Sequence, residues 1–420
     1  MSPIITDEVL RLQQFIEIQF AADPDWLRAR RLELAERVFA ADWPVRERTS
    51  LKRRKWDTLP WTTPVTPPTS MPPTSVDWLF VNGTALASPT RAALPSGVIV
   101  MPLLEAARNH PDLVRPYLGQ IADDSRDRAA LLNAALWREG LFVYVPAHVQ
   151  VDPVMTWGFL TAGEAPTWFA RNLIVAEAGS RIQLVEHIQA EDDVPRGLGL
   201  EVTEMAIHPG AEVTWGIIQQ MGSHWDAVIR RYHRVMQDGR LHLNVGEFGT
   251  GLEIAEHVTK LEGPGATTRS VSVLFGTDQQ HLDYQAEHHH LAPHTTSDMV
   301  ARGVMDDEAR SIFNGLTLIQ AGARGSDGRQ KQQALMLSDA ARADAIPSLI
   351  IDERDVYAAH AASAGPLDKA ALFYLMSRGL PESEARRLMI EGFLSPVIDS
   401  IPLESVREHV WSAVERKIRP

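Results

Sequence analysis

The chain has 420 residues, 45% hydrophobic and 23% charged, which is the balance of a soluble globular protein and excludes wholesale disorder, a collagen-like repeat or a coiled-coil rod. Lys and Arg number 41 against 54 Asp and Glu, and the formal net charge of −13 gives no general attraction to nucleic acid or anionic lipid. There are no cysteines, which excludes disulfides, zinc ribbons, thiol nucleophiles and a self-sufficient Cys-ligated iron–sulfur cluster.

Asp7, Glu8, Glu17, Asp23 and Asp25 stand where a signal peptide would carry basic and then apolar residues, and no apolar run reaches the length of a membrane span. A cytoplasmic protein with neither membrane nor nucleic acid as partner is expected. Leu10, Phe15, Ile16 and Ile18 form a helical stripe, Asp23-Pro24 interrupts it, and Leu32, Leu34, Val38 and Phe39 resume it. Residues 1–59 therefore read as a helical region. Near its end, Leu51-Lys52-Arg53-Arg54-Lys55-Trp56 is a basic run that reads as a solvated turn in an acidic protein. Residues 60–75 hold Pro60, Pro64, Pro67, Pro68, Pro72 and Pro73 among Thr and Ser, and read as an extended linker.

Residues 76–155 mix strands and helices. Val98-Ile99-Val100 and Leu141 to Val145 have strand character, whereas Asp127 to Arg138 reads as a helix with Leu131, Leu132, Ala135 and Leu136 inside. From about 156 to 360 the pattern changes to short alternating runs: Ile182 and Leu184; Val213, Trp215 and Ile217; Leu241, Leu243 and Val245; Val271, Val273 and Phe275. Turn residues separate them at Ala178-Gly179-Ser180, His208-Pro209-Gly210, Gln237-Asp238-Gly239 and Gly263-Pro264-Gly265. This is a large all-β unit, and a sandwich, a barrel and a β-helix all fit its spacing. Residues 361–420 return to helix. Leu367, Ala371, Leu372, Leu375 and Met376 share one face, Arg378-Gly379 ends that helix, and Pro381 opens the next with Ala385, Leu388, Met389 and Phe393. A last helix from about Leu403 to Ile418 carries Val406, Val410, Trp411 and Val414. These apolar faces require a partner, within the chain or from another protein.

No G-x-x-x-x-G-K-[ST], H-E-x-x-H, G-x-S-x-G or dinucleotide-binding glycine fingerprint is present, so the chain is not expected to hydrolyse ATP itself. The most conspicuous cluster is Glu287-His288-His289-His290 followed by Pro293-His294. Imidazoles bind first-row metals, and strand alternation puts His288 and His290 on one face, with His294, His281 or Asp283 as a third ligand. The plainer reading is a set of histidines hydrogen-bonded along a polar strand face. His360, between Ala358-Ala359 and Ala361, has an imidazole with little steric cover. Adjacent acids such as Asp306-Asp307 and Glu191-Asp192-Asp193 read as solvated turns.

The C-terminal third carries an ordered series of motifs. Gly325-Ser326-Asp327-Gly328 and Gln330 lead to Leu335-Met336-Leu337-Ser338, Pro347-Ser348-Leu349-Ile350-Ile351 and Asp355-Val356. His360, Gly365, Leu367-Asp368, Phe373-Tyr374-Leu375-Met376-Ser377-Arg378-Gly379 and Gly392-Phe393 follow. This series resembles the SufB/SufD family of iron–sulfur cluster assembly proteins, with a looser match at Leu132-Asn133-Ala134-Ala135 and Gly140 to Pro146. The helical start and linker are more like SufD-type members. The resemblance implies a mainly β fold: a right-handed parallel β-helix core flanked by N- and C-terminal α-helical regions. It implies a non-enzymatic subunit that pairs with a SufB-like chain, can form a homodimer in isolation, and docks the SufC ATPase through its C-terminal region, with Phe373, Tyr374, Arg378, Gly379 and Phe393 as candidates. No cofactor is expected to be held stably, and a transient iron–sulfur cluster at the junction with SufB is implied, with His360 as a ligand in its assembly. Family members commonly carry Cys-Ser-His-Gly where this chain has Ala358-Ala359-His360-Ala361, and the usual Pro-x-Leu-Glu-Ile has Ile350 in place of the acid. The rival reading is a β-helical carbohydrate-active enzyme, or a hydrolase using a metal on His288, His290 and His294.

Overall fold

The structure, a computed structural model, describes residues 7–61, 76–88, 93–162, 167–190 and 196–418. Most of the proline-rich segment and the acidic triplet 191–193 lie outside them. Eight α-helices are described: α1 Asp7–Gln19, α2 Asp25–Val38, α3 Leu103–Asn109, α4 Pro111–Val114, α5 Arg128–Leu136, α6 Lys369–Ser377, α7 Glu382–Ile398 and α8 Glu404–Lys417. Asp127 caps α5 by accepting from the Ala130 N–H, and Asp368 caps α6 by accepting from Ala370 and Ala371. Pro24, which cannot continue a helix, separates α1 from α2.

Between these helical regions the chain winds into a parallel β-helix. From Leu141–Val145 onward successive strands alternate between a nine-stranded and a ten-stranded sheet, so each pairs in parallel with the strand two places on rather than with its sequence neighbour. Leu252, His281, Arg310 and Arg342 thus stack on consecutive coils of one sheet. Residues 76–155 supply the first coils: Trp78–Val81 pairs in parallel with Met155–Thr161, and Leu141–Val145 with Thr167–Ala176. The last coil runs to Pro366, beyond the expected end at 360.

Corners stack as strictly as strands. The N–H groups of Gly179, Gly210, Gly265, His294 and Gly325 donate to the carbonyls of Pro209, Gln237, Pro293, Arg324 and Asp355 one coil further on. Each of these residues has a positive φ, which explains the turn glycines of the sequence and places His294 (φ 58°) in the same column.

Three apolar layers result. The interior between the sheets holds Trp157, Trp168, Trp215, Trp225, Leu184, Ile217 and Leu243. On the outer face of the nine-stranded sheet, α1, α2 and α5 bury Leu12, Ile16, Leu34 and Leu131 against Phe169, Leu198, Val228 and Ile254. On the outer face of the ten-stranded sheet, α7 and α8 bury Ile390, Leu394, Val397, Val406 and Val410 against Val185, Ile218, Val271, Val273 and Phe275. The N-terminal layer is also pinned by charge. Arg171 bridges Glu204 and Asp124 at 2.5 and 2.7 Å, and Arg54 and Trp56 both bond Asp226. Arg54 and Trp56 in the basic run are therefore anchors, while Lys52, Arg53 and Lys55 are exposed.

Candidate functional site

The two ends of the β-helix differ. At the N-terminal end, Thr84–Ala87 and Ile99–Pro102 are the outermost strands of the two sheets and run antiparallel to their neighbours. At the C-terminal end, Arg342–Ile351 and Tyr357–Pro366 are the outermost strands of the two sheets and run parallel to the coil beneath. One edge of each is open. Such an edge presents a row of backbone N–H and C=O groups able to accept another strand.

His360 lies on this last coil. Its register partner below is Gln330, whose side chain is buried and donates to Thr317 Oγ1 at 2.7 Å and to the Ser348 carbonyl at 3.1 Å. In-register residues of a parallel ladder share a face, so His360 occupies the inward position, with no further coil of this chain above it. Its neighbours Ala358, Ala359, Ala361, Ala362 and Ser363 are small, and the imidazole is exposed. Tyr357, Ile350 and Ile351 add exposed apolar surface to the same rim.

The residues expected at the ATPase dock separate into two environments. Helix α6 buries none of its residues, and Phe373 and Tyr374 are 71% and 61% exposed. Arg378 and Gly379 (φ 99°) end that helix and are exposed too. Phe393 does not join them. It packs in the seam beneath α7, with the Arg302 guanidinium 5.1 Å from its ring. The apolar faces of α7 and α8 are thus satisfied within the chain, and that of α6 is not.

The histidine tract follows strand alternation. His288 and His290 face inward and are buried, whereas His289 faces outward and pairs with Glu287 at 2.7 Å. His288 Nε2 lies 3.2 Å from Ser270 Oγ, and the two ring nitrogens of His290 are engaged by Thr295 and Ser297 at 2.8 Å each. Desolvation, with neighbouring imidazoles next, pulls His288 down to about 3; desolvation pulls His290 down to about 4. His294 stands apart in the corner column. Among the described residues, no three His, Cys, Asp or Glu side chains are placed to hold a metal ion. The expected ligand set of His288, His290 and His294 is therefore not assembled, because a strand and a corner aim their side chains differently.

Sequence reasoning missed a row of buried, inward-facing charges: Glu186, Glu201, Arg231, Glu247 and Glu253. The one local signal was the arginine-rich strand Trp225–Val235, whose alternation points Arg231 inward and Arg230 outward to Asp127.

Comparison with known proteins bears directly on this arrangement. Residues 159–393 match the family model described as SUF system FeS cluster assembly, SufBD core domain, and residues 72–156 match the SufBD protein N-terminal region. The chain belongs to the SufBD family. The iron–sulfur cluster assembly protein SufD of Bacillus subtilis is 36% identical over 327 residues, covering 77% of this chain and 74% of that one. SufBD family proteins of Staphylococcus epidermidis and Staphylococcus aureus are 28% and 27% identical over 308 residues, covering 73% of this chain and 66% of theirs. The open coil with His360 and the free helix α6 both fall inside the SufBD core match.

Proposed function

We propose that this SufBD protein is a SufD-like assembly subunit. It pairs through its last coil with a related SufB-type chain and carries a SufC-type ATPase on and around α6. The observation that supports this reading is the asymmetry of the β-helix: its outermost strands at one end are reversed, whereas those at the other run parallel to the coil beneath and keep the geometry of a further coil. A sister solenoid continues those edges without distortion, because its own terminal strands have the same spacing and twist. With no cysteine of its own, the chain contributes the His360 imidazole to a nascent cluster whose other ligands come from the partner, and imidazole is a competent iron ligand. Helix α6 presents Phe373 and Tyr374 next to this junction in sequence, so ATP-driven movement of a docked ATPase is transmitted to the coil that bears His360. ATP hydrolysis is supplied in trans, as the chain has no P-loop.

Co-expression with the SufB-type and SufC-type chains of the same organism, followed by affinity capture and mass determination, tests the reading. The wild-type chain is expected to retain both partners. Glutamate at positions 359 and 361 stands beside Arg329 and Lys331 in this chain and should remove the SufB-type partner by charging the open edge. Alanine at 373 and 374 should remove the ATPase alone. Recovery of the wild-type chain only as a monomer or homodimer would sink the assignment.

A further inference from the structure

The interior of the β-helix changes character along its axis. Tryptophans fill the N-terminal half, but at mid-length Arg231 is fully buried, donating to Glu201 at 2.8 Å and Glu186 at 3.3 Å, with Glu247 and Glu253 equally buried nearby. Only part of their bonding capacity is used within the protein. Glu247 and Glu253 hydrogen-bond each other, but Arg231 Nε and Nη1 and both His257 ring nitrogens are buried with no partner among the described residues. A buried polar atom left unbonded is costly, so a cluster of this kind inside a core calls for further hydrogen-bond partners.

The polar row continues towards the open end. His233, Thr259, His288 and Thr317 take the same inward position on successive coils of one sheet. Ser270, Met299, Gln330 and His360 do so on the facing sheet. Direct bonds join part of the row: His233 Nδ1 to Thr259 Oγ1 at 3.1 Å, His288 Nε2 to Ser270 Oγ at 3.2 Å, and Gln330 Nε2 to Thr317 Oγ1 at 2.7 Å. Where direct bonds stop, His233 Nε2, His288 Nδ1 and Gln330 Oε1 are buried without a protein partner. Backbones of adjacent coils are about 4.8 Å apart, and a water roughly 2.8 Å from a group on each coil spans about 4.5 Å at a tetrahedral angle, so where side chains do not meet directly one water has the reach to join them.

We propose that the β-helix holds an internal file of water molecules. It runs from the Arg231–Glu247–Glu253–His257 cluster along His233, Thr259, His288, Thr317 and Gln330 to His360, and it carries protons between the buried carboxyl pair and the open coil. At each step a water, hydroxyl or imidazole passes one proton on and receives one from behind, so no electron moves and no charge accumulates in the file. The groups facing the pair are Arg231, Glu201, Gln219 and Tyr284. Desolvation, and for Glu253 the neighbouring Glu247, raises both carboxyls, so the pair retains a proton at neutral pH. Binding of water here is independent of which partner covers the last coil.

Infrared spectroscopy of the full-length chain tests the file, with the buried acid as reporter and D2O as probe. A protonated carboxyl band is expected at pH 7, reduced in Glu253→Gln. On transfer to D2O it should shift fully while the core-strand amides remain protonated. Closing the file with Thr317→Val and Gln330→Leu should slow that shift at least tenfold. Absence of the Glu253-dependent band, exchange only in step with the core amides, or an unchanged rate in a folded closed variant would each overturn the proposal. If the closed variant does not fold, the wild-type comparison of carboxyl with amide exchange decides alone.

Discussion

His360 stands one coil above Gln330 in strict register, yet the two meet opposite surroundings: Gln330 is 3% exposed and bonded to Thr317, while His360 is open to solvent. Both positions face the axis of the β-helix, and what separates them is that the chain adds no further coil. Under the proposed pairing, this inward position at an open end is the one that a partner would complete.

If His360 ligates the nascent cluster, His360→Ala should lower cluster yield in the assembled complex by about tenfold or more, the scale on which metal sites respond to losing ligation or its support. Because the side chain is exposed and makes no hydrogen bond within the chain that anchors neighbouring strands, complex mass and thermal midpoint should be unchanged. Iron and acid-labile sulfide per complex are the measurement. Equal yield in the variant would leave His360 without a role in assembly.

A second test concerns Glu139, which follows α5, is 5% exposed, and accepts from the Gly83 N–H at 3.1 Å. Desolvation lifts its carboxyl to about 8, against the favourable Gly83 bond and Arg138. The folded value lies above the ordinary value of 4.5, so the folded state holds the proton more tightly. Stability from this group is full below 4.5 and is lost as pH rises through 8. Glu139→Gln stays neutral and should therefore gain on the wild type by about 1.4 kcal/mol per pH unit across that window. Buried His233 and His288, both held near 3, act in the opposite sense below 6.5. The wild-type profile alone thus sums opposing contributions, and the difference between the variant and wild-type denaturation curves at pH 5 and pH 8 is the informative quantity. A pH-independent difference would show that Glu139 is ionised in the fold.

Helix limits were legible in the sequence because their signals are local. Asp127, Asp368, Pro24 and Pro381 act on adjacent backbone and set where α5, α6, α2 and α7 begin. Alternation revealed strands but not which face they bury. Val213, Trp215 and Ile217 point into the β-helix, whereas Val271, Val273 and Phe275 point outward beneath α7 and α8. A strand covered on both sides offers two apolar faces, and period two cannot tell them apart. The β-helix itself came from the family motifs, since a sandwich has the same spacing. Alternation also placed His288 and His290 together. Convergence on His294 is a property of the corner column, which a strand pattern does not encode. The cluster around Arg231 draws Glu186, Glu201 and Glu247 from three other strands, so beyond the arginine-rich strand itself no local pattern announces it.

Arg231 itself makes a sharp prediction. Arg231→Met removes the one cation bonded to Glu186 and Glu201 while keeping most of the volume. Breaking a buried pair in this way costs about 3–5 kcal/mol. Burial already raises both carboxyls, so without arginine they should take up protons as pH falls, and the cost should shrink between pH 8 and pH 5. Urea midpoints of the two chains at these pH values measure it. A cost that stays constant across the range would mean that the carboxyls do not titrate in the variant.

Gly140 sits where α5 hands over to the strand Leu141–Val145, with φ at 139°, a region that side chains avoid. A Cβ there would lie 1.7 Å from the Arg171 carbonyl oxygen, and this neighbour is backbone that cannot rotate away. The same few residues are tied on both sides: Arg171 N–H donates to the Glu139 carbonyl, Leu103 N–H donates to the Gly140 carbonyl, and the Arg171 side chain clamps Glu204 and Asp124. Relief of the clash must therefore displace either the first coil or the N-terminal helical layer. Gly140→Ala should cost on the order of 3 kcal/mol or more and lower the yield of soluble protein. Limited proteolysis should release the N-terminal layer before the β-helix is cut. The open coil is far along the axis, so any folded fraction should still capture the SufB-type chain. A variant as stable as the wild type would mean that the backbone at Gly140 relaxes without this constraint.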